Sequence, residues 1–181
     1  MLFRRLTAAA AASCAAAAAL AVIGPALPAK AAACSNPVPL GPATPINLHN
    51  GSGTWTYGYL YVGWYANCQS AYAEVDWRSG WQNAVTGSVY LNWNAPGHNS
   101  AEGEVPYPNG GIISWKSANL YQGPGNPYSA GRSFTAAIKV TFHGDPNGWS
   151  CGPIVLTGNT HDFSNGGNSG VGDGTCNASG I

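Results

Sequence analysis

Residues 54–66 read TWTYGYLYVGWYA, and the alternation within this stretch decides the fold. Successive side chains of a β-strand point to opposite faces of a sheet. A strand here places every aromatic residue at an odd position on one face: Trp55, Tyr57, Tyr59, Tyr61 and Tyr65. Leu60, Val62 and Trp64 fall on the other face, which suits a hydrophobic core. The row of rings is suited to stacking against a ligand or partner, or to lying beneath a second layer of protein.

Similar alternation of apolar and polar residues recurs in residues 71–78, 85–93 and 134–143, and a shorter apolar run covers residues 154–156. Clusters of glycine, proline and asparagine separate these segments. None of the segments has apolar residues at the spacing that is typical of a helix. Short strands joined by turns are typical of an all-β fold. We therefore predict an antiparallel β-sandwich, with a small β-barrel as the alternative.

Residues 1–33 have the features of a signal peptide. Arg4 and Arg5 precede an alanine-rich, weakly apolar stretch, and residues 29–31 form a small-x-small cleavage site. Gly24 and Pro25 interrupt the apolar run before it reaches the length of a membrane span. The sequence therefore predicts a secreted, extracellular protein that has no membrane attachment after cleavage.

Cysteine usage agrees with export. Cys14 leaves with the signal peptide, so Cys34, Cys68, Cys151 and Cys176 remain, an even number for an oxidising compartment. Four cysteines allow three connectivities, of which we favour Cys34 with Cys68 and Cys151 with Cys176. In an alternative, Cys34 is the lipidated first residue of a lipoprotein, but that would leave one thiol unpaired.

The predicted cleavage leaves about 150 residues, enough for one domain. Residues 34–52 contain four prolines, so we expect an extended arm that cannot join a central strand. Residues 53–181 are predicted to form a single β-sandwich domain. Its glycine- and asparagine-rich end, residues 158–181, is expected to be a loop-like tail held by Cys176.

A hairpin that turns at residues 67–69 brings two outward rows of side chains together. The predicted ligand-binding set is Trp55, Tyr57, Tyr59, Tyr61, Tyr65, Tyr72, Glu74, Asp76 and Arg78. Rings that stack on the C–H faces of a sugar, beside carboxylates and a guanidinium that bond its hydroxyls, favour a glycan as the ligand. In the opposing interpretation the same rings form the inner face of the sandwich.

The charged residues narrow the choice of function. After residue 31 there are four basic and seven acidic side chains, a balance that does not suit nucleic acid as a partner. We expect no metal ion and no cofactor. The same-face pairs Glu74 with Asp76 and Glu102 with Glu104 resemble glycosidase carboxylates only in spacing, so no residue is predicted to be catalytic.

We therefore expect a non-enzymatic binding domain for polysaccharide or cell-wall glycan. The alternative is a protein-interaction module, an adaptor or inhibitor that uses the proline-rich arm or an exposed sheet edge. A small glycoside hydrolase is the third candidate.

Overall fold

The computed structural model describes residues 33–108, 111–128, 130–143, 149–170 and 172–180. The predicted signal peptide lies outside these residues, except for Ala33. The strands described are β1 (Pro37–Asn50), β2 (Gly53–Tyr65), β3 (Ser70–Trp77), β4 (Val85–Ala95), β5 (His98–Pro106), β6 (Ser114–Lys116), β7 (Leu120–Tyr121), β8 (Ser133–Phe142), β9 (Trp149–Asp162), β10 (Gly167–Ser169), β11 (Thr175–Asn177) and β12 (Ser179–Gly180).

The strands form two sheets. The first has the order β11–β1–β2–β3–β6, and β7 also pairs with β3. The second has the order β10–β9–β8–β4–β5, and β12 also pairs with β9. Every described pair is antiparallel except that of β1 with β11.

The core lies between the two sheets. Leu60 and Val62 of the first sheet are fully buried, as are Leu91 and Ile138 of the second. Burying each such side chain contributes about 1.5 to 3 kcal/mol of hydrophobic stabilisation. The predicted β-sandwich is confirmed, and the described sheets do not close into the barrel that was its alternative.

Helical structure in the described ranges consists of two short 3-10 turns. The first, Ala66–Cys68, leads from β2 into β3 and confirms the predicted hairpin. The second, Trp81–Asn83, follows β3. Within the described part of the chain, no helix has the length and apolar character needed to cross a bilayer.

The proline-rich segment is not a separate arm, which corrects the prediction for residues 34–52. Most of it is β1, which pairs with β2 from Pro37 to Asn50. Its other side meets β11 only at residues 47–49, so the prolines lie where β1 is an edge strand. Proline lacks the backbone N–H, but on this unpaired side of β1 no hydrogen bond to a neighbouring strand is lost. Ile46 and Leu48 of β1 are fully buried and anchor it to the core.

Both predicted disulfides are confirmed. Cys34–Cys68 joins the residues before β1 to the β2–β3 hairpin, and its presence rules out the lipidated form of Cys34. Cys151–Cys176 joins β9 of the second sheet to β11 of the first. The predicted tail is therefore more ordered than expected, because its first residues continue β9 and a later segment is β11.

Candidate functional site

Tyr59, Tyr61 and Tyr65 lie on the outer side of the first sheet. Leu60 and Val62, which alternate with them in β2, are fully buried. The odd-numbered side chains in this part of β2 therefore point away from the core. Tyr59 is 43% exposed, and Tyr61 and Tyr65 are half-buried. For these three tyrosines, the interpretation of the row as an inner face is wrong.

Strand β3 adds two carboxylates to the same surface. Tyr59 lies opposite Asp76, and Tyr61 lies opposite Glu74. Directly paired residues of an antiparallel ladder share a face, so rings and carboxylates alternate across the hairpin. We call this surface the tyrosine face and define it by Tyr59, Tyr61, Tyr65, Glu74 and Asp76.

Tyr72 supports the tyrosine face from beneath. It lies on the outer side of β3 opposite Gly63, yet it is fully buried. Its ring crosses over Gly63, where a Cβ atom would come within 2.1 Å of the tyrosine Cζ. The Tyr65 ring covers it at a centroid distance of 4.6 Å, and the Lys116 Nζ lies 4.8 Å from its ring centroid. Tyr72 is therefore unavailable to a ligand.

A β-bulge interrupts the alternation of β2. Ile46 of β1 pairs with Gly58, but the next residue, Asn47, pairs with Thr56. Tyr57 is thus an extra residue without a counterpart on β1. The prediction that all five aromatic residues share one face is wrong, because the bulge shifts the alternation by one residue.

Trp55 and Tyr57 lie on the core side as a result. Trp55 pairs with the fully buried Leu48. Tyr57 is only 1% exposed, and its ring contacts Trp81 at 4.0 Å and Phe142 at 5.2 Å between centroids. Tyr57 is therefore a core residue, and Trp55 belongs to the end of the sheet rather than to the tyrosine face.

The carboxylates of the tyrosine face are held by neighbours. Glu74 is 5% exposed and forms an ion pair with Lys116, with 3.3 Å between Oε2 and Nζ. The Ser114 hydroxyl donates to the same carboxylate. Tyr61 donates its hydroxyl to Asp76 over 3.0 Å. A nearly buried carboxylate requires such partners. Glu74 therefore fixes the positions of Lys116 and Ser114 beside the tyrosine face.

Titration behaviour follows from this arrangement. Burial raises the pKa of Tyr61, and the hydrogen bond and negative charge of Glu74 raise it further. Burial is also the main cause of the raised pKa of Tyr72, and the charge of Glu74 is the second cause. Burial alone would lower the pKa of Lys116, but the charge of Glu74 and the contact with Tyr65 outweigh it and raise that pKa. At neutral pH Tyr61 and Tyr72 therefore keep their protons, and Lys116 remains charged.

A groove of about 740 Å³ begins where β2 passes the bulge. Trp55 is 36% exposed there, and the Arg78 Nη1 lies 3.5 Å from the Thr56 carbonyl oxygen. Trp81 could not be assigned to this groove from the sequence, because it reaches the groove only through the turn that follows β3. We call this the Trp55 groove; its described lining is Thr54, Trp55, Thr56, Arg78, Ser79 and Trp81.

The second acidic pair lies in the other sheet. Glu102 and Glu104 are on β5, where Ser100 donates to Glu102 over 2.8 Å and Ser88 donates to Glu104. The two pairs considered for glycosidase chemistry are thus on different sheets, and each of the four carboxylates accepts a hydrogen bond from a neighbour. None of these pairs spans a cleft between facing strands, which is the usual arrangement in a glycosidase.

No cluster of three or more histidine, cysteine, aspartate or glutamate side chains suited to a metal ion occurs in the described ranges. Comparison of the chain with protein-family models, curated proteins and solved structures finds no match. Function is therefore inferred from the tyrosine face and the Trp55 groove.

Proposed function

We propose that this protein is secreted and binds polysaccharide or cell-wall glycan on the tyrosine face. The observation that carries the proposal is a row of three outward tyrosines beside two carboxylates. Rings offer stacking area to the C–H faces of sugars, and the half-buried Asp76 carboxylate accepts hydrogen bonds from sugar hydroxyls. The nearly buried Glu74 holds Lys116 and Ser114 in place beside the rings. Tyr65 is six positions after Tyr59 in β2, a distance of about 20 Å along the strand. Such a length accommodates more than one sugar ring.

Neighbouring side chains hold two of the three rings of the tyrosine face in place. Asp76 accepts the Tyr61 hydroxyl, and Tyr65 rests on Tyr72. Fixing side chains before binding reduces the entropy that association must overcome. This order supports recognition of an extended, repetitive ligand by the face as a whole.

The Trp55 groove extends the surface past the bulge. Thr56 pairs with Asn47, and their side chains are hydrogen-bonded at 2.9 Å, which places both on the outer side of the sheet. Arg78, also from the predicted set, is exposed at the groove. The Thr56 hydroxyl and the Arg78 guanidinium suit the end of a glycan chain that lies along the outer side of β2, whereas Trp55 lines the groove from the core side.

Two disulfides support the secreted part of the proposal, because such bonds persist in oxidising compartments. One form of the protein-interaction alternative depended on an undocked arm, and that segment is the docked strand β1. The other form, which uses an exposed sheet edge, does not depend on the arm. The glycoside hydrolase alternative gains no support from acidic pairs that are on separate sheets and already hydrogen-bonded.

Replacing tyrosines of the face tests the proposal. We expect Tyr59→Ala to weaken retention on a glycan about fivefold, and Tyr59→Ala with Tyr61→Ala to weaken it at least about tenfold. Each ring removed eliminates one stacking contact. The measurement is depletion of the purified, processed protein by insoluble cellulose, chitin and peptidoglycan across a range of polymer concentrations.

Val155→Ala is the matched control, because Val155 is 50% exposed on the second sheet. It should leave retention unchanged. If the parent is retained on none of the three polymers, or if the double variant is retained as well as the parent, glycan binding by the tyrosine face is wrong.

A further inference from the structure

A second cavity, of about 550 Å³, lies at the opposite end of β2 from the Trp55 groove. Trp64, near the end of β2, and Gln69, at the hairpin, form one part of its wall. Gln122, Asn126 and Arg132 come from the segment between β7 and β8. The described lining contains no acidic side chain. We call this cavity the Arg132 pocket.

Arg132 has unused hydrogen-bonding capacity at this site. Its Nη2 donates to the backbone carbonyl of Gln122, whereas its buried Nε has no partner among the described residues. No carboxylate in the described ranges lies within ion-pair distance of it. A guanidinium carries five N–H donors in a planar fork that matches a carboxylate. A half-buried arginine without an acidic partner therefore indicates an anionic ligand.

Gln122 gives a second and independent observation. Its side chain is 1% exposed, and neither its amide oxygen nor its amide nitrogen has a partner within the described part of the chain. Buried polar groups are nearly always hydrogen-bonded in native proteins, so an unpaired buried amide requires a reason. Gln122 belongs to the wall of the Arg132 pocket, so rotation of its amide toward the cavity would bring it to the hydroxyl groups of a bound molecule.

The loop that carries Gln122 is ordered in advance. Asn126 donates to the backbone carbonyls of Gln122 and Gly123, and it accepts a bond from the Tyr128 N–H over 2.9 Å. Gly123 is closely covered, since a Cβ atom there would lie 2.1 Å from Gln69 Oε1. Asn126 is thus a positioning residue, and the pocket wall needs little rearrangement to bind.

We propose that the Arg132 pocket binds a hexuronate, the carboxylate-bearing sugar of acidic glycans. The carboxylate lies against the fork of Arg132. The sugar ring packs beside the half-buried Trp64, and the ring hydroxyls meet the amides of Gln69 and Gln122. The pocket is separate from the tyrosine face, so this second site does not depend on the function proposed for that face.

The charge at the pocket favours a carboxylate over a phosphate. Arg132 is the one basic side chain in its described lining. A phosphate carries between one and a half and two negative charges at neutral pH and usually draws several donors or a second cation. A single planar guanidinium balances a single carboxylate.

The test is isothermal titration calorimetry of the processed protein with sodium D-galacturonate and sodium D-glucuronate. D-galactose and D-glucose, titrated at the same concentrations, lack the carboxylate, and sodium acetate lacks the sugar. We expect saturable binding of at least one hexuronate, at least about tenfold tighter than that of either neutral hexose or of acetate. If neither hexuronate binds, or if a neutral hexose or acetate binds equally well, the proposal is overturned.

Two arginine variants locate the site. Arg132→Gln should weaken hexuronate binding at least about tenfold, whereas Arg78→Gln makes the same charge change in the Trp55 groove and should leave it unchanged. Arg132→Lys keeps the positive charge but lacks the planar fork, so we expect it to bind the hexuronate more weakly than the parent protein. This variant provides the test if thermal melting shows that Arg132→Gln does not fold. Equal losses in Arg78→Gln and Arg132→Gln, or parent-like binding by Arg132→Lys, would contradict the assignment.

Tyr59→Ala separates the two sites. It should reduce retention on insoluble glycan and leave hexuronate binding unchanged. Loss of hexuronate binding in this variant would show that the sugar acid binds the tyrosine face instead.

Discussion

Tyr57 and Tyr59 are two residues apart in one strand, and they have opposite environments. Tyr57 is 1% exposed between Trp81 and Phe142, whereas Tyr59 is 43% exposed. Both are tyrosines next to Gly58, so the residue type does not separate the two roles. The extra residue at the bulge does, because it reverses the side to which the preceding side chains point.

Alanine substitution at these two positions should therefore have unequal effects on stability. Tyr57→Ala leaves a cavity in the core, and we expect the free energy of unfolding to fall by about 3 to 5 kcal/mol. Tyr59→Ala removes a partly exposed ring, and we expect a change below about 1 kcal/mol. Urea denaturation followed by tryptophan fluorescence measures both. Equal losses at the two positions would mean that β2 has no bulge.

Strand patterns explain which elements could be predicted. β2, β3, β4 and β8 alternate regularly and were identified from that alternation alone. β5 was missed because its residues are mostly polar or charged and show no apolar face, and β1 was missed because of its prolines. A proline is excluded from a strand only where its N–H is needed, and that depends on whether a neighbouring strand lies on that side. On the side away from β2, β1 meets β11 only at residues 47–49, and β11 is distant in sequence. The sequence pattern therefore did not reveal that the prolines face no partner strand.

The docking of β1 can be measured by paired substitutions on that strand. Leu48→Ala should destabilise the protein by about 2 to 5 kcal/mol, because Leu48 is fully buried. Val38→Ala on the same strand should change stability by less than about 0.5 kcal/mol, because Val38 is 50% exposed. Thermal and urea melts distinguish the two variants. A free arm would make both substitutions neutral.

At the scale of the whole molecule, the candidate site could be predicted only in part. The hairpin brought Tyr59, Tyr61, Glu74 and Asp76 together as the alternation indicated. Lys116 and Arg132 were not assigned to any site, because their positions depend on loops and short strands far along the chain. Local periodicity determines which face a side chain occupies, but only the packed sheets determine which distant residue faces it.

The two disulfides contribute to the stability of the molecule as a whole. Their sequence separations are 34 and 25 residues, so the chain-entropy model gives each about 3 to 4 kcal/mol. We expect Cys34→Ser with Cys68→Ser, and Cys151→Ser with Cys176→Ser, to lower the free energy of unfolding by similar amounts. Urea melts under non-reducing conditions measure this. A variant as stable as the parent would show that its disulfide contributes nothing to the fold.

The ion pair of Lys116 with Glu74 has a practical consequence for attaching this protein to surfaces. Lys116 and Lys139 are the lysines that follow the predicted cleavage site. The Lys116 ammonium forms an ion pair with Glu74 and contacts Tyr65 and Tyr72. Lys139 is exposed on the second sheet, where it pairs with Val155. Apart from the chain's own amino terminus, amine-directed coupling would react chiefly at Lys139. Beads or sensor chips prepared in this way would hold the molecule by its second sheet and present the tyrosine face to the solution.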